Sequence, residues 1–297
     1  MPRAYELLQV DAFTTTPFEG NACAVIPEAE GLDEEMMQAI AREMNLSETS
    51  FVLPSEEADF RCRYFTPLEE VPLAGHPTIA TVHALAELGR IPADRASVTL
   101  ELSAGVIGVE LRREQEASPL IVMTQLAPSF GRRLGRGELS VALRVPENSV
   151  RPDLPVQVVS TGTPQLMVPL MSLTSLERAR PDGTRLLELR EKAGFFSVHA
   201  FTTETREPQS AAHSRHWGFN ETGLFEDPVT GSASGGMVSY MLEYGLLEPG
   251  VHRLEQGDVM RRPGRVVAEI GYESGGGIAA PKIGGQAVTV MRGEITV

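Results

Sequence analysis

Ten residues, Glu226-Asp227-Pro228-Val229-Thr230-Gly231-Ser232-Ala233-Ser234-Gly235, combine an acid, a turn and a helix opening. Pro228 fixes one dihedral and Gly231 frees another, so the stretch reads as a tight turn running into a helix. A helix opening leaves four backbone N–H groups unpaired, and with the macrodipole they favour an anion there. Asp227, four positions before Gly231, puts a titratable group beside that anion pocket. Proton chemistry on a carboxylate substrate needs this combination. An Asp before Pro is also a common turn start, and Asp227 alone fits that reading equally.

The same pattern occurs twice. Glu70-Val71-Pro72-Leu73-Ala74-Gly75-His76-Pro77 matches Glu226 to Ala233 at a constant offset of 156 positions. Each copy runs an apolar, helix-like segment to a glycine 14 residues on, Gly75 to Gly89 and Gly231 to Gly245, where a helix C-cap belongs. Upstream, Arg63-Tyr64-Phe65 mirrors Arg215-His216-Trp217 at an offset of 152, so the second copy has four extra residues in the connecting loop. One repeat pair is not a solenoid. It predicts a duplicated fold of two similar domains, each with a strand, a turn and an inner helix, and a cleft between the halves. His76 then occupies the position symmetric to Ser232, so that both point into one cleft, although a lone histidine at a helix start also serves as a cap. Glu48, in a helix-to-strand loop, reads either as a solvated acid or as a single base serving that cleft. Phe195-Phe196-Ser197-Val198 in the second half offers no equivalent acid.

The elements that must position these groups follow from pattern. Tyr5 to Ala12 and Ala22 to Ile26 read as paired strands around the loop Thr14 to Asn21. Leu32-Asp33-Glu34 opens a helix through Met44, with Met36, Ile40 and Met44 on one face, and Asn45 ends it. Strands are expected at Phe51 to Leu53 and Phe60 to Tyr64, then the first repeat copy with Pro77 at the first helical position. Val98 to Leu102 and Val106 to Leu111 form a hairpin over Ala104-Gly105, and Leu120 to Gln125 a further strand. Ala127-Pro128-Ser129 is the expected domain boundary. Beyond it come a helix at Glu138 to Arg144, strands at Val156 to Ser160 and Leu166 to Leu170, a helix at Leu186 to Ala193 and a strand at Phe195 to Phe201. After the second copy, strands follow at Arg265 to Ile270 and Ala287 to Val290, and Gly275-Gly276-Gly277 reads as a hairpin tip. Some ten strands against four helices make a mixed α+β chain.

Composition narrows the partners. The chain has 297 residues, 42% hydrophobic and 22% charged, ample for a sizeable core. Its net charge of −14 argues against a nucleic-acid or anionic-membrane surface. Cys23 and Cys62 lack metal-ligand spacing, the N-terminal residues hold no apolar signal core, and no 18-residue apolar run occurs, so a cytoplasmic protein with free thiols is expected. His213 and His216, three apart at a strand start, fall on opposite faces and do not make a metal pair. His83, His199 and His252 show no partner pattern, and no GxGxxG or P-loop indicates a nucleotide.

Val10-Asp11-Ala12-Phe13, Gly20-Asn21, Met44-Asn45-Leu46-Ser47-Glu48-Thr49, Phe65-Thr66-Pro67, Ala74-Gly75-His76-Pro77 and the Glu226 to Ala233 block together resemble the PhzF-like phenazine-biosynthesis isomerases. Gln256-Gly257, Met260, Arg262-Pro263 and Gly284-Gly285 extend the likeness over essentially the whole chain. The resemblance implies the diaminopimelate-epimerase-like fold, with two pseudo-symmetric domains, each a sheet wrapped around a central helix, and the active site in the cleft between them. The last strand would return to the first domain, giving residues 1–127 plus 287–297 and residues 128–286. It further implies a homodimer that uses no cofactor and no metal.

In chemistry, the resemblance implies an isomerase of the trans-2,3-dihydro-3-hydroxyanthranilate type. Glu48 would remove a proton from one carbon and return it at another, while His76 and Asp227 position the substrate and route protons. Backbone N–H groups at Gly75, His76, Gly231 and Ser232, with the Ser47 and Ser232 hydroxyls, would hold the substrate's polar groups. Oriented donors of this kind stabilise a carbanion-like intermediate beside a carboxylate. Epimerases of this fold carry cysteines at the two helix openings, where this chain has Ala74 and Thr230, so two-thiol racemisation is disfavoured. Two other readings stand beside the isomerase: an epimerase using Glu48 with Asp227, and a small-molecule binding protein without turnover.

Overall fold

The computed structural model describes residues 3–113 and 118–297. It divides into two compact units, Met1–Thr124 with Gly284–Val297, and Gln125–Ile283. Among the described residues no helix is long and apolar enough to cross a membrane.

The first unit is a mixed sheet around a buried helix. Its elements are β1 (Ala4–Ala12), β2 (Asn21–Ile26), α1 (Glu34–Met44), β3 (Glu48–Leu53), β4 (Phe60–Phe65), β5 (Glu70–Val71), α2 (Gly75–Glu87), β6 (Ser97–Leu102), β7 (Gly105–Arg112) and β8 (Leu120–Thr124). The C-terminal strand Ala287–Thr296 pairs antiparallel with β1 along its length, Ala4 opposite Thr296 and Ala12 opposite Ala287. From β1 onward the pairing runs antiparallel to β2, parallel to β3 and antiparallel to β4. Strand β4 then pairs antiparallel with β5 and parallel with β6, which pairs antiparallel with β7. Helix α2, with the sequence GHPTIATVHALAE, is apolar or small on nearly every side, and nine of its residues are buried. A helix without a polar face must lie inside, and it packs on β1, β2, β3, β8 and the C-terminal strand.

Helix α1 covers the outer face of this sheet. Met37, Ile40 and Ala41 are its buried residues, packed with Tyr5, Ile26, Phe51 and Phe65. The expected stripe of Met36, Ile40 and Met44 is corrected here, since Met36 is 38% exposed. Residues spaced strictly by four drift around a helix of 3.6 residues per turn, whereas 37, 40, 41 and 44 stay on one face. Pro77 is the third helical residue, not the first; its missing N–H still falls among the four that a helix start leaves unpaired.

The second unit contains β9 (Ser129–Leu134), α3 (Arg136–Leu143), β10 (Val156–Ser160), β11 (Pro164–Pro169), α4 (Leu173–Arg178), α5 (Gly183–Ala193), β12 (Ser197–Thr202), β13 (Ser210–Asn220), β14 (Gly223–Asp227), α6 (Gly231–Glu243), β15 (Gly250–Gln256) and β16 (Gly264–Ile270). Strand β10 pairs antiparallel with β9 and β11, β11 parallel with β12, and β12 antiparallel with β13. Strand β13 pairs antiparallel with β14 and parallel with β15, which pairs antiparallel with β16. This is the order of pairings found from β1 to β7. Helix α6 spans 13 residues, as α2 does, and lies against β10, β11 and β16. Helices α3 to α5 close an outer core with Val168, Val198, Ala200 and Trp217.

A guanidinium–carboxylate fork ties the strand pair before each inner helix. Arg63 on β4 bonds Glu70 on β5 through Nε at 2.9 Å and Nη2 at 2.6 Å. Arg215 on β13 bonds Glu226 on β14 through Nε and Nη2, both at 2.8 Å. Each guanidinium also lies over the aromatic ring two residues along its own strand, Phe65 or Trp217. That neighbour shares its face of the strand.

Helix α6 is threaded under a glutamine. Gln125 Nε2 donates to the Gly231 carbonyl at 3.0 Å, and its Oε1 accepts from the Thr161 hydroxyl at 2.6 Å. A methyl group on Gly235 would overlap that Oε1. We expect Gly235→Ala to displace Gln125 and lose both bonds, lowering stability by about 1–3 kcal/mol in urea unfolding. Adding Gln125→Ala to Gly235→Ala should then cost little more, whereas simple addition of the two effects would rule out the clash.

Candidate active site

In the first unit, three elements bring Glu48, His76 and Ser47 together. Helix α1 ends at Asn45 in the left-handed conformation (φ 49°), and this turns the chain within three residues into β3. Glu48 is the first residue of β3, opposite Cys23 of the parallel strand β2. His76 is the second residue of α2, whose start Ala74 caps without a side chain. Gly20, at φ +61° and with no room for a Cβ beside the Ala12 carbonyl, delivers the buried Asn21 to the start of β2.

These residues form a chain of polar contacts. Ser47 Oγ donates to Asn21 Oδ1 at 3.4 Å, and Asn21 Nδ2 lies 3.3 Å from His76 Nδ1. His76 Nε2 is 3.1 Å from Glu48 Oε2, a close approach without the alignment of a straight hydrogen bond. With the amide oxygen of Asn21 engaged by Ser47, its NH2 donates to Nδ1, and the ring proton sits on Nε2, facing the carboxylate. Burial pushes the His76 pKa down to about 3, with the Ala22 carbonyl acting in the opposite sense, so the ring is neutral. Cys23 is held as a thiol, well above its ordinary pKa, first by burial and then by the Glu48 charge. A neutral thiol is a poor nucleophile and a poor base.

In the second unit, Asp227 ends β14 and Gly231 and Ser232 open α6. The N-cap Thr230 makes no side-chain cap to the helix, and its hydroxyl bonds Asp227 Oδ2 instead. Gln256, at the end of β15, clasps the turn, accepting from Thr230 N at 3.2 Å and donating to the Asp227 carbonyl at 2.9 Å. Gly257 (φ +92°) lets the next turn pass against the Pro228 carbonyl, and Gly264 has its α-carbon against Val229. Ser232 Oγ accepts from Gln165 Nε2 at 3.1 Å. Both helix openings thus lack a side-chain cap and leave first-turn N–H groups for a ligand.

Sequence reasoning missed Asn21, Gln165 and Gln256 as site residues. Asn21 and Gln256 adjoin glycines in left-handed conformation, Gly20 and Gly257, and that pairing is the signal that was present. His83, His199 and His252 show no partner pattern in the sequence, yet each has a partner in the fold: His199 Nδ1 is 3.2 Å from His216 Nδ1, His83 Nδ1 is 3.3 Å from Ser118 Oγ, and His252 Nε2 is 2.8 Å from the Glu248 carbonyl. Burial outweighs the cost of pairing two imidazoles while both stay uncharged.

An acid beside a neutral histidine at an uncapped helix opening, on an α+β frame, is a set of groups able to accept and hand on a proton. The chain belongs to the phenazine biosynthesis-like protein family, which matches residues 10–293. It is 38% identical over 272 residues to the uncharacterized isomerase YfhB of Bacillus subtilis, covering 91% of this chain and 92% of that protein. It is 32% identical over 289 residues to the trans-2,3-dihydro-3-hydroxyanthranilate isomerase of Pseudomonas chlororaphis, covering 96% and 97%. The crystal structure of the Bacillus anthracis PhzF-family protein superposes with a TM-score of 0.91 at 34% identity, covering 99% of this chain and 100% of that one.

His76 and His216 both have pKa values pushed by burial from 6.5 to about 3. Below pH 6.5 the unfolded chain takes up protons that these rings refuse in the fold. Their contribution is therefore complete above pH 6.5 and is lost as pH falls towards 3, at about 1.4 kcal/mol per pH unit for each ring. Urea unfolding of the His76→Gln variant between pH 7 and pH 4.5 should show a pH dependence shallower by one ring's share. An unchanged slope would mean that His76 is charged in the fold.

Proposed function

We propose that this enzyme is an isomerase that moves a proton between two carbons of a small carboxylate, with Glu48 as the proton carrier. The C–H bond breaks, the proton passes to the Glu48 carboxylate, and the electron pair shifts the double bond. Glu48 then returns the proton at the second carbon, so the reaction has no net oxidation or reduction. The observation that carries this reading is the Glu48 carboxylate held 3.1 Å from a buried histidine. A charged imidazolium there would depress the basicity of the carboxylate, whereas the neutral ring leaves it able to accept a proton.

Ser47, Gly75, Gly231 and Ser232 are the proposed substrate contacts, and His76 and Asp227 the residues that orient substrate and protons. The uncapped openings of α2 and α6 support a carboxylate as the group bound. The Pseudomonas chlororaphis relative supports trans-2,3-dihydro-3-hydroxyanthranilate as the first compound to test. The repeated pairing order supports a duplicated, epimerase-like ancestry, while Ala74 and Thr230 leave no thiols at the helix openings.

The test is incubation in deuterium oxide with trans-2,3-dihydro-3-hydroxyanthranilate and a panel of amino and hydroxy carboxylates, read by NMR and mass spectrometry. Deuterium at a new carbon with a moved double bond is the expected result. Label at the original carbon with inversion would replace the isomerase by an epimerase, and tight binding without label would leave a binding protein. Glu48→Gln should lower incorporation about 10²–10⁴-fold, and full activity in that variant would overturn the assignment of the base.

A further inference from the structure

Each inner helix carries a buried hydroxyl at its fourth residue, which the reaction above does not use. Thr78 of α2 and Ser234 of α6 are separated by the repeat offset of 156 positions, and both are buried. Thr78 Oγ1 donates to the Ala74 carbonyl at 2.8 Å, and Ser234 Oγ to the Thr230 carbonyl at 2.9 Å. A hydroxyl inside a helix often bonds back four residues in this way, and the bond slightly weakens the helix. Here the fourth residue back is the N-cap. The peptide reached is therefore the one whose N–H, on Gly75 or Gly231, opens the helix and has no acceptor within it.

Two longer relays end on peptides of the same kind. Tyr64 is fully buried, and burial holds its phenol well above the usual pKa, so it carries its proton. Its hydroxyl lies 2.9 Å from Thr78 Oγ1. Thr78 gives its one proton to the Ala74 carbonyl, so Tyr64 is the donor. In the second unit the Thr161 hydroxyl donates to Gln125 Oε1 at 2.6 Å, and Gln125 Nε2 donates to the Gly231 carbonyl at 3.0 Å. That carbonyl belongs to the peptide whose N–H is on Ser232. In a trans peptide the C=O and N–H point in opposite directions within one plane. A donor on the carbonyl thus fixes the line of the N–H, and head-to-tail bonds polarise one another.

We infer that Thr78, Ser234 and Gln125 are positioning residues, each aiming and strengthening, through a carbonyl, an N–H that binds a carboxylate at the opening of its helix. Tyr64 and Thr161 support two of them. The carboxylate at these openings rests on the proposed isomerase reading; the relays themselves do not. Ser239 supplies the comparison. Its hydroxyl is also buried on α6 and donates to the Gly235 carbonyl at 2.8 Å. That peptide's N–H, on Gly236, lies inside the helix, where the ladder already engages it.

The test uses benzoate as the carboxylate probe on nitrogen-15-labelled protein. In the wild type, benzoate should move the amide protons of Gly75, Gly231 and Ser232 downfield, a measurement that needs no variant to fold. Thr78→Val, Ser234→Ala and Gln125→Ala should each weaken benzoate binding about three- to tenfold. Thr78→Ser keeps the hydroxyl and should restore wild-type affinity. Ser239→Ala should lower the melting temperature and leave the affinity unchanged. Amides that stay in place under benzoate, a folded variant of the three that binds as the wild type does, or a loss in Ser239→Ala equal to that in Ser234→Ala would each overturn the inference. Should Glu48→Gln retain full deuterium incorporation while the benzoate losses follow Thr78 and Ser234, the isomerase reading fails and this one stands. With incorporation lost and benzoate affinity unmoved in the three variants, the reverse holds.

Discussion

The structure depends on the guanidinium–carboxylate fork that closes each strand pair ahead of an inner helix. Arg63 with Glu70, and Arg215 with Glu226, are mostly shielded from water, with side chains between 5% and 24% exposed. Shielded pairs of this kind add little net stability over apolar packing, yet removing one partner strands the other charge. Their value is geometric. Two parallel N–H···O bonds fix where the second strand ends, and the helix must begin four residues later. The positions of His76 and Ser232 are thus set by a charge pair on the opposite face of the sheet.

On the inner face the logic is reversed, since the histidines are kept uncharged by burial. Burial keeps His76 neutral, and burial first, with the Glu48 charge second, keeps the Cys23 thiol protonated. The first unit has an acid at the start of β3. The second has Ser197 at the start of β12, in the same order of pairing, and its acid, Asp227, lies instead at the helix approach. Two units with the same strand order therefore place their acids on different elements.

Much of this was legible in the chain because local signals agreed with long-range ones. Helix α1 opens at Leu32-Asp33-Glu34 and ends at Asn45 as expected, with Asp33 as its N-cap, and Gly89 and Gly245 follow the inner helices at φ +71° and +66°. The turn at Glu226 to Ser232 could be read as a helix approach from Pro228 and Gly231 alone. Strand β9 could not, because it is mostly exposed and is held by backbone pairing to β10, leaving no alternation to detect. Asn21 and Gln256 were visible only as motif letters without a role, because His76 is 55 residues from Asn21 and Gln256 reaches back 26 residues to Thr230. Polar residues that serve distant partners carry no period. The repeat showed Arg63 and Arg215 as matching letters, but their pairing with Glu70 and Glu226 needed the hairpins to be folded.

The antiparallel match of Ala4 to Thr296 sets an order of events during synthesis. The stretch 125–283 is continuous, and β9 to β16 find their partners within it. Strand β1 has no partner on one edge until Ala287–Thr296, made after the whole of 125–283, is available. An unpaired edge is open to foreign strands, and pairing between strands so far apart in sequence is slow. The unit holding Glu48 is thus completed only after the stretch 125–283 has been made, with one edge of β1 open until then.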